Sequence, residues 1–291
     1  MKTYLAVDLG GTKIAAALVR NHILVKRAQI ETPSSQSPAA LSEALKALLL
    51  PLSHEADSVA IASTGIIDNG ILTALNPDNL GGLNNYPLQD VVADITGLET
   101  VAINDAQAAA WAEYTALCQP AKNMAFVTVS TGVGAGLVID GKLLTGPRGV
   151  AGHAGHMLAD PTGPMCGCGR RGCVESVASG RAIARAGEAY FAAGCSGYAV
   201  YQQFLAGDEN AEAIIRRSAK AIANLIADLT ISLDLDVVTL GGSVGLAENY
   251  LALVQSYLSQ LPAFYQPKLI PAASGSDAGL IGVARWAEAN T

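Results

Sequence analysis

The first 31 residues follow a plan that returns about 120 residues further along the chain. The first copy reads as a strand YLAVDLG, a tight turn at Gly10-Gly11, a strand TKIAAALV, a turn at Asn21 and a strand HILVKRAQIE. The second copy, over residues 124–145, reads as a strand MAFVTVS, a glycine turn TGVGAG, a strand LVID, Gly141 and then KLLTG. Short apolar runs punctuated by Gly and Asn are the mark of strands joined by tight turns. Each copy leads into helical segments and further strands, so the repeat predicts an α/β fold made of two related domains.

The boundary is expected near residue 120. Residues 1–120 form the N-terminal α/β domain, onto which a last helix at 277–291 packs back, and residues 121–276 form the C-terminal α/β domain. No Ser/Gly-rich linker separates the halves, which predicts a hinge with an interdomain cleft. Within the first half, Ser37-Pro38 opens a helix through PAALSEALKALLL, with Ser as N-cap and Pro at the first helical position. SVAIAST and TVAIN are short β runs, and Asn104-Asp105 stands where the second stops and the helix AQAAAWAEYTAL begins. In the second half a long amphipathic helix, ENAEAIIRRSAKAIANLIADLTISLD, precedes the strand DVVTL, which ends in Gly241-Gly242-Ser243 ahead of the helix AENYLALVQSYLSQL.

Composition narrows the class of partner. The 291 residues are 51% hydrophobic and 15% charged with a net charge of −7, which suits a globular chain with sizeable cores. No apolar run approaches the roughly 18 residues of a membrane span. Lys and Arg form no cluster larger than doublets such as Arg170-Arg171 and Arg216-Arg217, so the basic footprint of a nucleic-acid binder is absent. Small molecules are therefore the expected partners. Clustered reduced cysteines and an N-terminus that runs straight into a strand, without a signal-peptide core, point to the cytoplasm.

His156, Cys166, Cys168 and Cys173 fall in the segment GHAGHMLADPTGPMCGCGRRGCVE. One imidazole and three thiolates complete a tetrahedral zinc shell, which points to a structural metal. A disulfide pair would want an oxidising compartment, and a zinc deaminase would want H-x-E with a later P-C-x-x-C. Neither pattern is present. His153 is a fifth candidate ligand; zinc needs four, which leaves one histidine for other work.

Three glycine-bearing turns follow three strands: Asp8 to Lys13, Ser130 to Gly136, and Leu240 to Ser243. Turns of this kind expose backbone N–H groups that cradle phosphate oxygens, and any one of them alone is equally a plain β-turn. Three of them, two in duplicated positions, favour a nucleotide site. Neither G-x-x-x-x-G-K-[ST] nor G-x-G-x-x-G occurs at these turns, which counts against P-loop and Rossmann architectures. Asp8, at the end of its strand, is placed to hold a water on Mg²⁺ while Thr12 and Lys13 face phosphates, or else simply to cap its turn. Asp105 is the better candidate base, because a helix N-terminus favours the ionised carboxylate that accepts a hydroxyl proton; plain N-capping is the other reading.

DLGGTK, the IND before an alanine-rich helix, STGVGAG, the G-H-x-G-H followed by C-G-C-G-x-x-G-C-x-E, and LGGSV together resemble the ROK family of sugar kinases and repressors over essentially the whole chain. The resemblance implies the duplicated actin-like, ribonuclease-H-like fold, ATP with Mg²⁺, structural Zn²⁺ and a homodimer. ASTGII, LNPDNLGGL, INDAQAAAWAEY, TVSTGVG and GHAGHMLADPTGPMCGCG are most similar to the branch that phosphorylates the 6-hydroxyl of N-acetylmannosamine in sialic acid catabolism. Asp105 would then be the base, Asn104 would bind a neighbouring hydroxyl, and Gly65 and Asn76 would line the sugar pocket. His156 would serve both zinc and the sugar loop, and Glu175 would hold a ring hydroxyl or the anomeric end. ATP phosphates would fall to Asp8, Gly10, Gly11, Thr12 and Lys13 and to Thr131, Gly132, Val133, Gly134, Ala135 and Gly136, with Gly241 and Gly242 near adenosine.

One position departs from the commoner family pattern. Many ROK glucokinases carry Glu where this chain has His153, and a neutral imidazole donates one hydrogen bond and accepts one where a carboxylate only accepts. The change fits the N-acetylmannosamine branch. Other expectations open to test are a kinase for glucose or N-acetylglucosamine, and a sugar-responsive repressor, against which stand the missing N-terminal helix-turn-helix and the acidic charge.

Overall fold

Strand β1 (Thr3–Leu9) is buried along nearly its whole length, and its side chains divide by parity. Leu5, Val7 and Leu9 point into one core and Tyr4 and Ala6 into another, the period-2 division that a pleated strand imposes. Strand β2 (Lys13–Arg20) pairs antiparallel with it and divides likewise, Ile14, Ala16 and Leu18 on the first face and Ala15, Ala17 and Val19 on the second. β3 (Ile23–Glu31) continues the antiparallel hairpin. Helix α1 (Pro38–Ser53) leads to β4 (Ser58–Ser63), which runs parallel to β1. A small hairpin, β5 (Ile66–Asp68) and β6 (Ile71–Thr73), precedes α2 (Leu88–Thr96), β7 (Thr100–Asn104) and α3 (Asp105–Thr115). The resulting sheet has the order β3-β2-β1-β4-β7. The structure is a computed structural model that describes residues 2–33, 37–76 and 80–290; Pro77, Asp78 and Asn79 of the LNPDNLGGL motif lie outside the described residues.

Helix α1 runs three residues further than its sequence pattern suggested, through Pro51 to Ser53. Leu41, Leu45, Leu48, Leu49 and Leu52 form its buried stripe, and the i, i+3, i+4 spacing of that stripe holds the helix past the proline.

The second unit repeats the plan. β8 (Met124–Val129), β9 (Val133–Ile139) and the two-residue β10 (Lys142–Leu143) correspond to β1, β2 and β3. Short helices α4 (Val174–Ala178), α5 (Gly180–Gly187) and α6 (Gly197–Leu205) lead to α7 (Glu209–Leu233), capped by the Asp208 carboxylate, which accepts from the Ala211 amide at 2.9 Å. β11 (Val237–Gly241), α8 (Tyr250–Leu258) and β12 (Lys268–Pro271) follow, and the second sheet reads β10-β9-β8-β11-β12. The order of the first sheet is thus reproduced, with β11 and β12 parallel to β8 as β4 and β7 are to β1. Even the hairpin turns match: Asn21 and His22 have φ of 52° and 63°, and Asp140 and Gly141 have 49° and 75°, the left-handed pairs that two-residue hairpins require.

The last helix, α9 (Ala278–Asn290), belongs with the first sheet. One compact unit comprises Met1–Cys118, Leu143–Gly152 and Ala273–Thr291; the other comprises Gln119–Lys142 and His153–Ala272. In the first unit the face with larger side chains is packed by Leu-rich α1, together with Leu88 and Val92 of α2. The alanine-rich face takes Ala108 of α3 and Leu280, Val283, Ala284 and Ala287 of α9, because only small side chains let helices approach that sheet closely. No helix among the described residues is long and apolar enough to cross a membrane.

Candidate active site

The parallel ladder of the first unit sets its chemistry at one edge. Leu9 pairs with Ser63, and Ser63 with Asn104, so the carboxyl ends of β1, β4 and β7 form a row with Asp8 just before it and Asp105 just after. That edge is where open α/β sheets bind ligands. Burial, and then the neighbouring Asp105 charge, push the Asp8 carboxyl up from 3.8 to about 6 against the pull of Lys13 and Arg27. The turn beyond Asp8 is closed by the Gly10 amide donating to the Lys13 carbonyl at 3.0 Å, and the Thr32 hydroxyl donates to the Gly10 carbonyl at 2.7 Å. Gly11, Thr12 and Lys13 are exposed on it.

Asn104, not Asp105, is the N-cap of α3. Its Oδ1 accepts from the Ala106 and Gln107 amides at 2.9 and 3.3 Å, while the Gln107 Oε1 accepts from the Asn104 amide, a reciprocal capping box. The Asn104 Nδ2 donates to the Gly65 carbonyl at 2.9 Å, with the Ser63 carbonyl at 3.4 Å. Asp105 is therefore not the capping residue. It stands half-buried at the first helical position, where the helix dipole favours its ionised form, and its Oδ1 accepts from the Ala106 amide at 2.8 Å. Gly65 has φ of 92°, and the pairing of Ile66 with Thr73 sets it at the same end of the small hairpin as the half-buried Asn76.

In the second unit the glycine turn is shorter than its sequence suggested. Ser130 to Gly132 make the turn, and Val133, Gly134, Ala135 and Gly136 are already in β9, paired with Val129, Thr128, Val127 and Phe126. Ladder pairing takes up much of the backbone that a nest running from Thr131 to Gly136 would have offered. Thr131 and Gly132 remain at the turn. Gly241 ends β11 and Gly242 follows with φ of 87°, and the Ser243 hydroxyl lies 3.1 Å from that of Ser130. The start of α5 joins them, the Gly180 amide donating to the Ser130 carbonyl at 2.7 Å.

Glu175 sits against the same turn. Its Oε2 accepts from the Val133 amide at 3.1 Å, and its Oε1 lies 3.9 Å from the Cys166 sulfur. His153 and His156 flank a single 3₁₀ turn, closed by the His156 amide donating to the His153 carbonyl at 3.0 Å. Gly155 of that turn presses on the Val133 carbonyl, so closely that a Cβ there would collide with it.

His156, Cys166, Cys168 and Cys173 converge, their ligand atoms all within 4.8 Å of one another. The Cys168 and Cys173 sulfurs are 3.7 Å apart, and the Cys166 sulfur is 3.7 Å from the His156 Nδ1. A tetrahedral ion about 2.3 Å from each sulfur requires an edge of about 3.8 Å, so the donor set fits zinc. Burial, reinforced by the neighbouring cysteines, pushes the Cys173 thiol up to about 12, which is the penalty a bound cation removes. The loop is braced as well by protein contacts: Arg170 donates to the His156 carbonyl at 3.0 Å, Arg171 to the Gly163 carbonyl at 2.9 Å, and Arg217 pairs with Asp160 at 3.0 Å.

Sequence reasoning passed over three residues that organise these sites. Gln107 completes the cap, and its N-x-x-Q spacing from Asn104 was a readable signal. Ser243 joins two glycine turns. Glu113, buried in α3, accepts from the Ala273 and Ser274 amides; its only signal was a second carboxylate in an alanine-rich helix.

Two α/β units are built on one sheet order, with a carboxylate at a helix start in one and a His-Cys₃ cluster in the other. The chain belongs to the ROK family, whose model matches residues 4–290. It is 55% identical over 285 residues to the N-acetylmannosamine kinase of Citrobacter koseri, covering 98% of both chains. Among solved structures it is similar to the ROK hexokinase of Thermus thermophilus, at 32% identity and a TM-score of 0.85 over 99% of this chain and 98% of that one. It is similar also to a ROK glucokinase of Streptomyces griseus in complex with glucose and AMPPNP, at 30% identity and a TM-score of 0.79 over 97% and 98%.

Proposed function

We infer that this protein transfers the γ-phosphoryl group of ATP to the 6-hydroxyl of N-acetyl-D-mannosamine, giving N-acetyl-D-mannosamine 6-phosphate and ADP in the catabolism of sialic acid. The observation that carries the reading is the 55% identity, over 98% of both chains, to a kinase of that specificity. The Asp105 carboxylate at the head of α3 supplies the chemistry.

In this reading Asp105 takes the proton of the sugar 6-hydroxyl as that oxygen bonds to the γ-phosphorus and the bond to ADP breaks. Asn104, occupied by the cap and by Gly65, holds Asp105 and the sugar-facing backbone in register. Phosphate oxygens lie against the exposed turn Gly10 to Lys13 and the turn at Thr131 and Gly132, with adenosine toward Gly241 and Gly242. Asp8 would help hold the Mg²⁺ that accompanies ATP, an ion that would neutralise charge on the phosphates. Gly65, Asn76, His153, His156 and Glu175 surround the sugar, His153 offering one donor and one acceptor where a glucose site has a carboxylate. The His156-Cys₃ zinc stays out of the reaction and stiffens the loop that presents these groups. The family resemblance further supports a homodimer working in the cytoplasm.

A purified-enzyme assay with Mg-ATP over a sugar panel tests the substrate. Highest kcat/KM on N-acetylmannosamine is expected; a higher value on glucose or N-acetylglucosamine would replace the substrate and keep the reaction class.

A further inference from the structure

Glu113 is a carboxylate at 3% exposure whose hydrogen bonds go to backbone 160 residues away. Its Oε1 accepts from the Ser274 amide at 2.7 Å, and its Oε2 from the Ala273 amide at 2.9 Å. Carboxylates are rarely buried unless their lone pairs are met, and two backbone N–H groups meet these. The clamp fixes the point from which the chain passes through a 3₁₀ turn (Gly275–Asp277) into α9. Asp277 of that turn pairs with Arg27 of β3 at 3.1 Å.

The first turn of α9 then meets Asp8. A Cβ added to Gly279 would lie 3.0 Å from the Asp8 Oδ2 and 3.1 Å from its Cγ, so helix and carboxylate are already at contact. Further along, a Cβ on Gly282 would collide with the Ala108 carbonyl of α3. Helix α9 is thus registered on α3 at two levels, by close packing at Gly282 and by the Glu113 clamp ahead of its start. Its free end covers the carboxylate at the edge of the sheet.

We propose that Glu113 is a positioning residue for Asp8: by clamping the Ala273 and Ser274 amides it seats Gly279 and the first turn of α9 on the Asp8 carboxylate. Glu113 touches neither substrate. Its effect runs through backbone, and it is therefore expected on the Mg-ATP side of the reaction, where Asp8 acts, and not on the sugar. The proposal rests on the assignment of Asp8 to Mg-ATP given above.

The test is steady-state kinetics on the full-length enzyme with Mg-ATP and N-acetylmannosamine varied in turn, for the wild type, Glu113→Gln and Gly279→Ala, each with a thermal melt. Glu113→Gln keeps the shape but sets an NH₂ against one of the two amides. Gly279→Ala leaves the clamp intact, favours the helix by propensity and crowds Asp8 directly. Both variants are expected to lose about ten-fold or more in kcat/KM for Mg-ATP while the KM for the sugar stays within about two-fold. For Gly279→Ala this should occur without a fall in melting temperature. Values of kcat/KM for Mg-ATP within about two-fold of wild type in both variants would overturn the proposal, as would equal losses on both substrates in step with the melting temperature. A wild-type enzyme inactive on every sugar would instead remove the kinase reading itself.

Discussion

The Glu175 carboxylate accepts the Val133 amide at 3.1 Å, tying the helix that follows the last zinc-loop cysteine to the first residue of β9. Gly155 presses on the carbonyl of the same Val133. One residue beside the glycine turn is therefore gripped on both its backbone polar groups by the segment that carries the metal ligands. Order in the loop and order in the turn are joined through it.

Glu175→Gln replaces a charge-assisted hydrogen bond with a neutral one. Bonds to a charged acceptor contribute about 1.5–3 kcal/mol and neutral ones about 0.5–1.5, so a loss of about 1 kcal/mol should raise KM by roughly five-fold. Because Val133 adjoins the phosphate turn, KM for Mg-ATP should rise along with KM for the sugar. Steady-state kinetics with each substrate varied would show a rise in the sugar constant alone if the link to Val133 has no part in nucleotide binding.

Asp105→Asn keeps the size of the side chain and the Asn104 cap beneath it, so folding and both binding affinities should survive. Loss of a general base costs about 10²–10⁴ in rate. Calorimetric titration of the sugar alongside turnover measurements checks both halves, and near-wild-type turnover would remove Asp105 as the base.

Removing one zinc ligand by Cys168→Ser should drop metal content well below one zinc per chain, measured by elemental analysis of the purified protein. The arginine braces on His156, Gly163 and Asp160 leave the chain folded but the loop looser. The weakened affinity should appear first for the sugar. Unchanged zinc stoichiometry would mean that a different ligand set holds the metal.

Asp8 carries a pH signature. Its carboxyl is pushed up to about 6 by burial and by Asp105, above the 3.8 of an unfolded chain. The folded state therefore holds this proton more tightly, and the stability it contributes is full below about pH 4 and lost as pH rises through 6. Above that pH the ionised, half-buried group costs on the order of 2 kcal/mol after screening. Asp8→Asn should accordingly raise the melting temperature at pH 8 more than at pH 5, measured without nucleotide, while abolishing turnover. An equal change in melting temperature at the two pH values would refute the displaced pKa.

Local pattern carried a large part of this molecule. Strand alternation, turn residues and the repeated hairpin were legible because they obey short periods, and the C-x-C-x₄-C spacing with His156 was legible because zinc demands few donor types within a short reach. The extent of the glycine turn was misread. Ladder pairing of Val133 to Gly136 depends on β8 being alongside, and the letters G-V-G-A-G look alike in a turn and in a strand.

The amino-acid sequence by itself determined two repeated α/β units, a His-Cys₃ metal set and a carboxylate at a helix start, since each depends on neighbours within a few tens of residues. Only the tertiary structure decided that the Asn104 side-chain amide reaches the Gly65 carbonyl, that Glu175 holds Val133, and that Glu113 reaches Ala273 and Ser274. Those contacts join residues 39 to 161 positions apart, and a side chain finds such a partner only when packing of the sheets and helices has brought the two backbones together.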